Sequence, residues 1–479
     1  MVMETMQIRL TMGLVEEIKK LVNRGIYPNS SECVRDAVRR LITGAGGKMD
    51  ISESAIAVIE KVVKEVKEQF QKPTGTTDFY AEDMGIRKKI FLKLRASAKK
   101  FGFNEIETPA FETLDLLTKK SGEEILGQIF TLEQKGDEKF GLRFDLTIPI
   151  TRMFLEKQKE LPKPVKWYGL SRMWRYERPQ AGRLREFYQL SVELFGCDKA
   201  DADAEVINLA VECLKSLGLT SQDFFVKINN RKLLQGLLLG VVKEDQLEAV
   251  VRIIDKVKKI TDEEFEKSLK NLKINVSGIK KILRCKTLED IEKLKPNKLA
   301  KEGLMELKSI MELLDKKFIK FDISIARGLA YYTGTVFEIY DKEEKFRALA
   351  GGGRYDNLVE LYGGSPTPAT GFGMGYSTLS LLLKEKDLVP DAGLGPDYFV
   401  VIIGEEVKEE AIKIIKNLRK KYSVDYDLSG RNIKNQMNYA DSVKAKKVIF
   451  VGAEEIESGM LSVKDMKTGK QDKVNIDIL

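Results

Sequence analysis

Two strand-like segments on either side of a short arginine-rich turn constrain the fold of this chain most strongly. VKWYGLSRMW (165–174) precedes the turn, and FYQLSVELFG (187–196) follows it. Pro179 and Gly182 interrupt any regular structure between the two segments and force a change of direction. The sequence therefore predicts a hairpin that carries the turn at one end of a sheet.

The turn itself is rich in positive charge. Guanidinium groups are permanently charged and bind phosphate oxygens in pairs, so such a hairpin is suited to gripping phosphates. An exposed basic loop neutralised by its own Glu177 and Glu186 is the alternative interpretation. Four arginines lie within eleven residues: Arg175, Arg178, Arg183 and Arg185.

The 479-residue chain contains no histidine, and this absence excludes whole classes of mechanism. Ser–His–Asp triads, Cys–His pairs, HExxH zinc sites and imidazole bases all require that residue. The four cysteines are too far apart for a CxxC motif, and we expect small buried thiols in a reducing compartment. The net charge of +8 mildly favours an anionic partner.

Composition and length predict a folded chain of roughly three domains. Apolar residues make up 43% of the sequence, and no apolar run reaches the length of a membrane span. The N-terminus lacks the apolar stretch of a signal peptide. We therefore expect a cytoplasmic protein.

Hydrophobic patterning divides the chain into regions. We predict a strand over 6–11, helices over 14–23 and 30–42, and a linker helix over 52–70. A large α/β region begins near residue 73, with strand signals such as RFDLTIP (143–149). A helical insertion follows, and strand signals resume at Asp322. The C-terminal α/β unit opens with the strand YFVVIIG (398–404), followed by a helix to Lys421.

Two further segments are candidates for a functional site. RGLAYYTGTVFE (327–338) combines an arginine with paired tyrosines, which ordinary sheet packing would also explain. GGGRYD (351–356) has three glycines that permit close approach of a ligand to the backbone, although such a run is often only a turn.

Together these motifs resemble the histidyl-tRNA synthetases, a family of class II aminoacyl-tRNA synthetases. WRYERPQAGRLREFYQLSVELFG resembles motif 2, and FGFNEIETPAFE (101–112) resembles motif 1, whose proline shapes the dimer interface. RGLAYYTGTVFE resembles the histidine-specific segment, and AGGGRYDNLVELYGG the glycine-rich region. DLSGRNIKNQMNYAD (427–441) resembles part of the anticodon-binding domain. The likeness covers roughly residues 73–479.

The resemblance implies an α/β (α+β) fold in which an antiparallel-sheet catalytic core carries a helical insertion. A C-terminal α/β anticodon-binding domain and an N-terminal ribbon-helix-helix module complete the chain. The expected boundaries are 1–46 for the ribbon-helix-helix-like domain, 47–72 for a linker helix, 73–230 and 321–390 for the catalytic core, 231–320 for the insertion, and 394–479 for the anticodon-binding domain.

The resemblance also implies an activity. Histidine and ATP would form histidyl-adenylate, with Mg²⁺ bound through the ATP phosphates, and the histidyl group would pass to the 3′ end of tRNA(His). Arg175 and Arg327 match the residues on either side of the α-phosphate, where guanidiniums stabilise developing charge without proton transfer. Glu177 matches the residue that meets the adenine amino group, and Arg183 the residue at the distal phosphates.

The amino-acid pocket follows from the same matches. Asp145, Thr147 and Gln189 match residues that hold the α-ammonium group. Glu193 and Tyr332 match residues that read the imidazole nitrogens, and the resemblance places Arg327 and Tyr331 among the histidine-binding residues as well. Gln180 and Arg185 belong to the part of motif 2 that faces the tRNA acceptor end. The family is homodimeric, so we expect a homodimer.

The chain departs from the family pattern at several positions. Tyr176 and Tyr188 replace the usual histidines of motif 2, and Ala330 replaces an acidic residue. Thr74 and Thr77 stand where basic residues are usual. Motif 3 normally ends in Glu-Arg but here reads Ser377-Thr378, which removes the arginine that braces the γ-phosphate. That loss has three alternative consequences: histidine activation is slow, another cation takes the place of the arginine, or the protein binds its ligands without catalysing.

Residues 5–42 resemble a ribbon-helix-helix DNA-binding domain. In that arrangement Gln7, Arg9 and Thr11 would enter the major groove, and Ser30 and Ser31 would meet a phosphate at a helix N-terminus. A dimerisation module or a tRNA contact are the alternatives.

Two rivals to the ligase remain at this point. One is a catalytically silent paralogue that senses histidine or uncharged tRNA, and the other is a transcription factor that uses the synthetase body as its sensor. The missing histidines lead to a further hypothesis: translation of this chain would not depend on its own product. An engineered origin is the alternative explanation.

Overall fold

The computed structural model describes the chain in two compact units, Met1–Thr74 and Gly75–Leu479. The described residues are 12–23, 27, 30, 32–33, 36, 72–119, 126–134, 136–258, 260–327 and 331–476.

The N-terminal unit contains α1, Met12–Asn23, which confirms the predicted first helix. Ile18 and Leu21 of this helix are buried, as is Cys33. Ser30 is helical and exposed. The predicted strand with Gln7, Arg9 and Thr11, together with Ser31, most of the second helix and the linker helix, lies outside the described residues.

The second unit contains the remaining elements. Its helices are α2 (Ala81–Lys100), α3 (Leu114–Thr118), α4 (Thr147–Glu156), α5 (Ala200–Ser216), α6 (Arg231–Leu238), α7 (Leu247–Asp255), α8 (Asp262–Asn271), α9 (Val276–Leu283), α10 (Leu288–Lys293), α11 (Lys298–Glu312), α12 (Leu358–Leu361), α13 (Tyr376–Glu385), α14 (Lys408–Leu418), α15 (Ile433–Ser442) and α16 (Ala453–Ser458). Its strands are β1 (Asn104–Glu105), β2 (Phe111–Thr113), β3 (Phe140–Leu142), β4 (Val165–Trp174), β5 (Glu186–Phe195), β6 (Phe224–Asn230), β7 (Ile319–Phe321), β8 (Thr335–Asp341), β9 (Ala350–Arg354), β10 (Ala369–Gly375), β11 (Tyr398–Ile402), β12 (Val424–Tyr426), β13 (Lys447–Val451), β14 (Met460–Asp465) and β15 (Gln471–Asn475).

The larger sheet has the strand order β1-β4-β5-β10-β9-β8-β6-β7 among the described residues. Its central pairs are antiparallel, whereas β1 with β4 and β6 with β7 are parallel. The predicted hairpin is confirmed, because β4 and β5 pair in one continuous antiparallel register from Val165 with Phe195 to Trp174 with Glu186. The fold class expected from the sequence is confirmed as well.

The core lies on both faces of this sheet. On one face, α5 and the insertion helices bury residues such as Leu209, Leu214 and Leu307. On the other face, α4 contributes Ile150 and Phe154, and the Phe154 ring stacks on Phe195 with 4.5 Å between centroids. This second face also carries the candidate site.

The insertion leaves the sheet after β6 and returns at the neighbouring strand β7. Asn230 caps its first helix, since its side-chain oxygen accepts bonds from the N–H groups of Lys232 (2.9 Å) and Leu233 (3.2 Å). Helices α6 and α11 approach closely at Gly236 and Gly303. A Cβ atom on Gly303 would lie 2.3 Å from the Leu233 nitrogen, so only glycine fits.

The C-terminal sheet has the order β12-β11-β13-β14-β15, with β11 parallel to both of its neighbours. Residues 386–397 connect it to the region of the larger sheet as a tightly held segment. Leu388 packs on Gly218, a Cβ on Gly85 of α2 would lie 2.3 Å from the Ala392 oxygen, and one on Gly395 would lie 1.9 Å from the Lys444 oxygen.

Three predicted elements differ from the structure. RFDLTIP, predicted as strand-like, instead follows β3 and opens α4, which starts at Thr147. Pro149 is tolerated there because the first helical turn has no internal partner for its missing N–H. The C-terminal amphipathic helix ends at Leu418, short of Lys421. Strand structure does not resume at Asp322 as predicted, because β7 ends at Phe321 and the next strand, β8, begins at Thr335.

The cysteines behave as expected from their spacing. All four are free, and Cys33, Cys213 and Cys285 are buried. None of the described helices is long and apolar enough to cross a membrane.

Candidate active site

The site begins where the β4–β5 hairpin ends. Arg175 follows the last residue of β4, and its backbone N–H donates to the Arg185 carbonyl (2.9 Å) across the hairpin. Its side chain turns back over the sheet, where Nε donates to the Phe144 carbonyl (2.9 Å) and the guanidinium lies 5.2 Å from the Phe187 ring centroid. The first residue of the predicted arginine cluster is therefore fixed, not solvated.

Asp145 is the acidic residue whose charge most favours the charged form of this arginine. Burial raises the pKa of Asp145, while Arg175 and the backbone N–H groups of Ile148 and Thr147 lower it. Burial lowers the pKa of Arg175, but from a value so high that the guanidinium keeps its charge. One carboxylate oxygen of Asp145 is buried without a hydrogen-bond partner. The site thus holds an acceptor suited to an ammonium group.

Glu193 forms the deepest part of the site. It is only 1% exposed, and one of its oxygens accepts a hydrogen bond from Thr147 Oγ1 (2.8 Å). The other oxygen is buried without a partner. Burial raises the pKa of Glu193 well above its ordinary value. A buried carboxylate with one unused oxygen is an expensive group to maintain unless a ligand completes it.

The glycines of β10 make room for this carboxylate. Gly371 pairs with Glu193 in the antiparallel register, and a Cβ atom on Gly371 would lie 2.1 Å from Glu193 Oε2. Gly373 plays the same part for Gln189, whose Nε2 atom would lie 2.7 Å from such a Cβ. Gln189 also donates from Nε2 to Ser191 Oγ (2.9 Å). Both side chains therefore lie flat across the neighbouring strand.

Arg327 approaches the same face of the sheet over strands β8 and β9. Its Nη1 atom lies 3.5 Å from Glu338 Oε1 on β8, and its guanidinium rests on the backbone of Gly351 in β9. Burial opposes its charge, but Tyr332 and Glu338 outweigh that effect and raise the pKa of Arg327. Arg327 also lowers the pKa of Arg175, because the two positive charges repel each other.

Tyrosine rings form the wall beside these groups. The Tyr331 and Tyr332 ring centroids lie 4.8 Å apart, and Tyr331 meets Tyr355 edge-on at 5.7 Å. Burial raises the pKa of both Tyr331 and Tyr332, so the phenols stay protonated donors. The structure thus brings together the predicted residues Arg175, Arg327, Asp145, Thr147, Gln189, Glu193, Tyr331 and Tyr332.

The remaining motif 2 residues lie in the turn and are engaged with one another. Arg183 forms an ion pair with Glu177, so the alternative in which the turn neutralises its own charge is partly realised. Arg185 donates from Nε to the Glu177 carbonyl (3.1 Å), and its guanidinium lies 4.2 Å from the Tyr176 ring centroid. Gln180 is exposed. Glu177 and Arg183 would have to separate before meeting adenine and phosphate individually.

Thr378 occupies the position where motif 3 usually has arginine. It is 5% exposed, and its Oγ1 donates to the carbonyl of Gly182 (3.3 Å). Gly182 has a φ of +73°, a backbone conformation that favours glycine. The substitution therefore places a small hydroxyl under the motif 2 turn.

Sequence reasoning did not assign three residues that the structure places in or behind the site. The buried Tyr355 hydroxyl has no partner and, like Glu193, lies beside Gly371. Glu338 supports Arg327. Arg354 is structural, since it pairs with Asp203 (2.7 Å) and donates to the Cys197 carbonyl (3.0 Å). The GGGRYD and RGLAYYTGTVFE segments contained Tyr355 and Glu338, but only strand register reveals their direction.

The comparison with known families decides the identity of this site. The histidyl-tRNA synthetase family profile matches residues 75–379. The chain belongs to the histidyl-tRNA synthetase family. An anticodon-binding domain profile matches residues 397–479, which include the C-terminal sheet of the synthetase. A histidine–tRNA ligase of Pyrococcus furiosus is 40% identical over 423 residues, covering 85% of this chain and 97% of the relative.

Solved structures agree with this synthetase fold. A histidyl-tRNA synthetase from Nostoc has a TM-score of 0.73 and 25% identity, and the alignment covers 86% of this synthetase and 98% of the Nostoc chain. A Bacillus halodurans protein titled as an ATP phosphoribosyltransferase regulatory subunit/histidyl-tRNA synthetase has a TM-score of 0.67 and 27% identity, covering 80% and 98%.

Proposed function

We propose how this histidine–tRNA ligase, a class II aminoacyl-tRNA synthetase, divides its work among the residues of the site. Histidine binds with its ammonium group at Asp145, Thr147 and Gln189 and its imidazole at Glu193 and Tyr332. Site polarity supports this placement, because the unpartnered oxygens of Asp145 and Glu193 would accept the substrate N–H groups. A site built from buried acceptors discriminates strongly against amino acids that lack the matching donors.

ATP binds next to the histidine, with its α-phosphate between Arg175 and Arg327. The histidine carboxylate attacks the α-phosphorus, the bond to the β-phosphate oxygen breaks, and pyrophosphate leaves. Arg175 and Arg327 stabilise the negative charge that grows on the α-phosphate oxygens. The observation that carries the proposal is geometric: the unpartnered carboxylate oxygens of Asp145 and Glu193 lie in a site that also holds the fixed guanidinium of Arg175. No step requires a histidine side chain.

The ATP itself would supply the ligands for Mg²⁺. Among the described residues, no three or more Asp, Glu or Cys side chains cluster in a way that would hold a metal ion. We therefore assign Mg²⁺ to the phosphates of bound ATP, where it would neutralise their charge.

Histidine-dependent exchange of pyrophosphate into ATP tests this assignment. We expect exchange by the purified wild-type protein and its loss in Arg327→Ala with an unchanged circular dichroism spectrum. Wild-type exchange in that variant would refute the role of Arg327. Absence of exchange in the wild type would instead favour the silent paralogue, for which Thr378 is the supporting observation.

We assign the second step to tRNA(His), in the cytoplasm. The matched anticodon-binding profile supports recognition at the C-terminal domain, and the exposed Gln180 is available to the acceptor end. Arg185 is held by Glu177 and Tyr176, so its proposed contact with tRNA requires the turn to open.

A homodimer is supported by the apolar surface near motif 1. Light scattering should give twice the chain mass, and Phe111→Glu should shift it toward the monomer. A monomeric wild type would contradict this proposal. Phe111 of motif 1 remains exposed on β2, and so does Leu132, whose backbone N–H donates to Phe140 on the paired strand β3.

The N-terminal unit is proposed to bind DNA as a ribbon-helix-helix domain. The helix α1 and its buried Ile18 and Leu21 support a small packed unit. The full-length protein should bind a palindromic promoter fragment in a salt-sensitive, sequence-selective way, and Arg9→Ala should weaken this binding. Binding that lacks sequence selectivity would remove the regulatory role and leave dimerisation or tRNA contact.

A further inference from the structure

The backbone of Arg327 adopts an unusual conformation. Its φ angle is +51°, in the left-handed region that residues other than glycine rarely adopt. Such a conformation persists only where the surrounding structure holds it, and it is common at functional positions. Its guanidinium is supported by Glu338 and Gly351, which leaves open what holds the backbone.

Arg231, the first residue of α6, makes the contacts that answer this question. It is 2% exposed, and its Nη1 atom donates to the carbonyls of Ala326 (3.0 Å) and Arg327 (3.4 Å). The backbone N–H of the same residue donates to the Gly334 carbonyl (2.7 Å). Arg231 therefore holds the histidine-specific segment on both sides of residues 328–330.

The other end of the Arg231 guanidinium points into the insertion. Its Nη2 atom donates to both carboxylate oxygens of Glu248 on α7, at 3.0 Å and 3.1 Å. Glu248 is half exposed, whereas the Arg231 side chain is almost fully buried. One buried guanidinium thus connects an insertion helix to the main chain of Arg327.

We propose that Arg231 is a positioning residue for histidine activation and that Glu248 makes this positioning depend on the insertion. The inference rests on the proposed function of Arg327 at the α-phosphate. Displacing the backbone carbonyl of Arg327 would move the Arg327 guanidinium away from the phosphate oxygens. Small misplacements of charge-stabilising groups slow a reaction strongly.

The geometry requires arginine at this position. The planar guanidinium reaches two carbonyl oxygens with one nitrogen and a carboxylate with another. A lysine ammonium is a single point of charge and would not satisfy both sides at once. Charge conservation alone therefore does not preserve the function.

Pyrophosphate exchange in Arg231→Lys and Glu248→Gln tests the inference. We expect kcat, normalised to the active sites titrated by adenylate formation, to fall about tenfold or more in Arg231→Lys and less in Glu248→Gln. The histidine KM should change less than about twofold, because Glu193 and Thr147 are untouched and both variants keep the backbone bond from residue 231 to Gly334, near Tyr332. Normalising to titrated sites removes any effect of partial unfolding.

Lys232→Ala is the matched control. Lys232 lies next to Arg231 on α6 and also pairs with a helix of the insertion, through Glu306 (2.5 Å), without reaching Arg327. The Lys232→Ala variant should catalyse pyrophosphate exchange at the wild-type rate. Wild-type kcat per site in Arg231→Lys, or an equal loss in Lys232→Ala, would overturn the positioning role.

Arg327→Ala, measured in parallel, separates the two proposals. If Arg327→Ala is inactive while Arg231→Lys is fully active, only the positioning role fails. If Arg327→Ala exchanges normally, the role of Arg327 at the phosphate fails, and the positioning role fails with it.

Discussion

Glu193 is a residue of the site that lowers the stability of the folded protein and is proposed to bind the histidine substrate. Its carboxyl group is buried with one unpartnered oxygen, and burial raises its pKa well above the ordinary value. The folded state then holds a proton more tightly than the unfolded state does. Between the unfolded and the folded pKa, the free energy of unfolding therefore falls as the pH rises.

Replacing Glu193 with glutamine should remove this pH dependence. At pH 7.5 we expect Glu193→Gln to be more stable than the wild type, because the neutral amide carries no charge that burial penalises. The difference should vanish near pH 4, while histidine-dependent exchange is lost. Urea unfolding at several pH values measures the difference in the free energy of unfolding. Glu160→Gln, at an exposed position, is the control. Parallel stability curves for wild type and variant would contradict the argument.

The backbone at Arg327 allows a second test at the residue scale. Glycine adopts the observed φ of +51° without strain, whereas alanine does not. Arg327→Gly should therefore be more stable than Arg327→Ala by about 1 kcal/mol, although both lose exchange activity. Thermal unfolding of the two variants side by side decides this. An equal stability would mean that the left-handed conformation is not retained in solution.

At the scale of elements, the sequence predicted what local pattern determines. The β4–β5 hairpin and its arginines were evident because both strands and the turn are contiguous in the chain. RFDLTIP was wrong as a strand signal because its apolar residues serve the first turns of α4, packed under the sheet. The contacts of Gly371 with Glu193 join residues that are distant in sequence, and no local pattern encodes that register.

The glycines of β10 provide a matched pair of substitutions. Gly371→Ala should lower stability by about 1–3 kcal/mol through overpacking and raise the histidine KM, because its Cβ would meet Glu193 Oε2 at 2.1 Å. Gly375→Ala on the same strand meets no atom within 4 Å and should be nearly neutral. Exchange kinetics and thermal unfolding measure both. Equal effects at the two positions would exclude the close-approach explanation.

At the scale of the whole molecule, the connection between catalytic region and C-terminal domain is itself testable. Gly85→Ala should improve the helix propensity of α2 but force the Ala392 carbonyl away, since the added Cβ would lie 2.3 Å from it. We expect tRNA charging to fall by about tenfold while tRNA-independent exchange is unchanged. Loss of both activities, or of neither, would contradict a role for this contact in tRNA alignment.

The absence of histidine from all 479 residues bears on synthesis of the molecule. If the composition protects production of the synthetase, its translation should continue under histidine starvation. Translation of a control chain with the substitutions Tyr176→His and Tyr188→His should stall under the same starvation. Pulse labelling compares the two, and equal stalling would refute the hypothesis.

The segment 386–397 has a geometric consequence for substrate choice. Because Leu388, Ala392 and Gly395 are each seated against another part of the same unit, the connection does not act as a flexible tether. The distance between the adenylate site and the anticodon-binding domain is then fixed by the fold. A tRNA whose anticodon stem is longer or shorter by a base pair would present the correct bases and still fail to fit, so we expect charging to depend on the length of the tRNA as well as on its sequence.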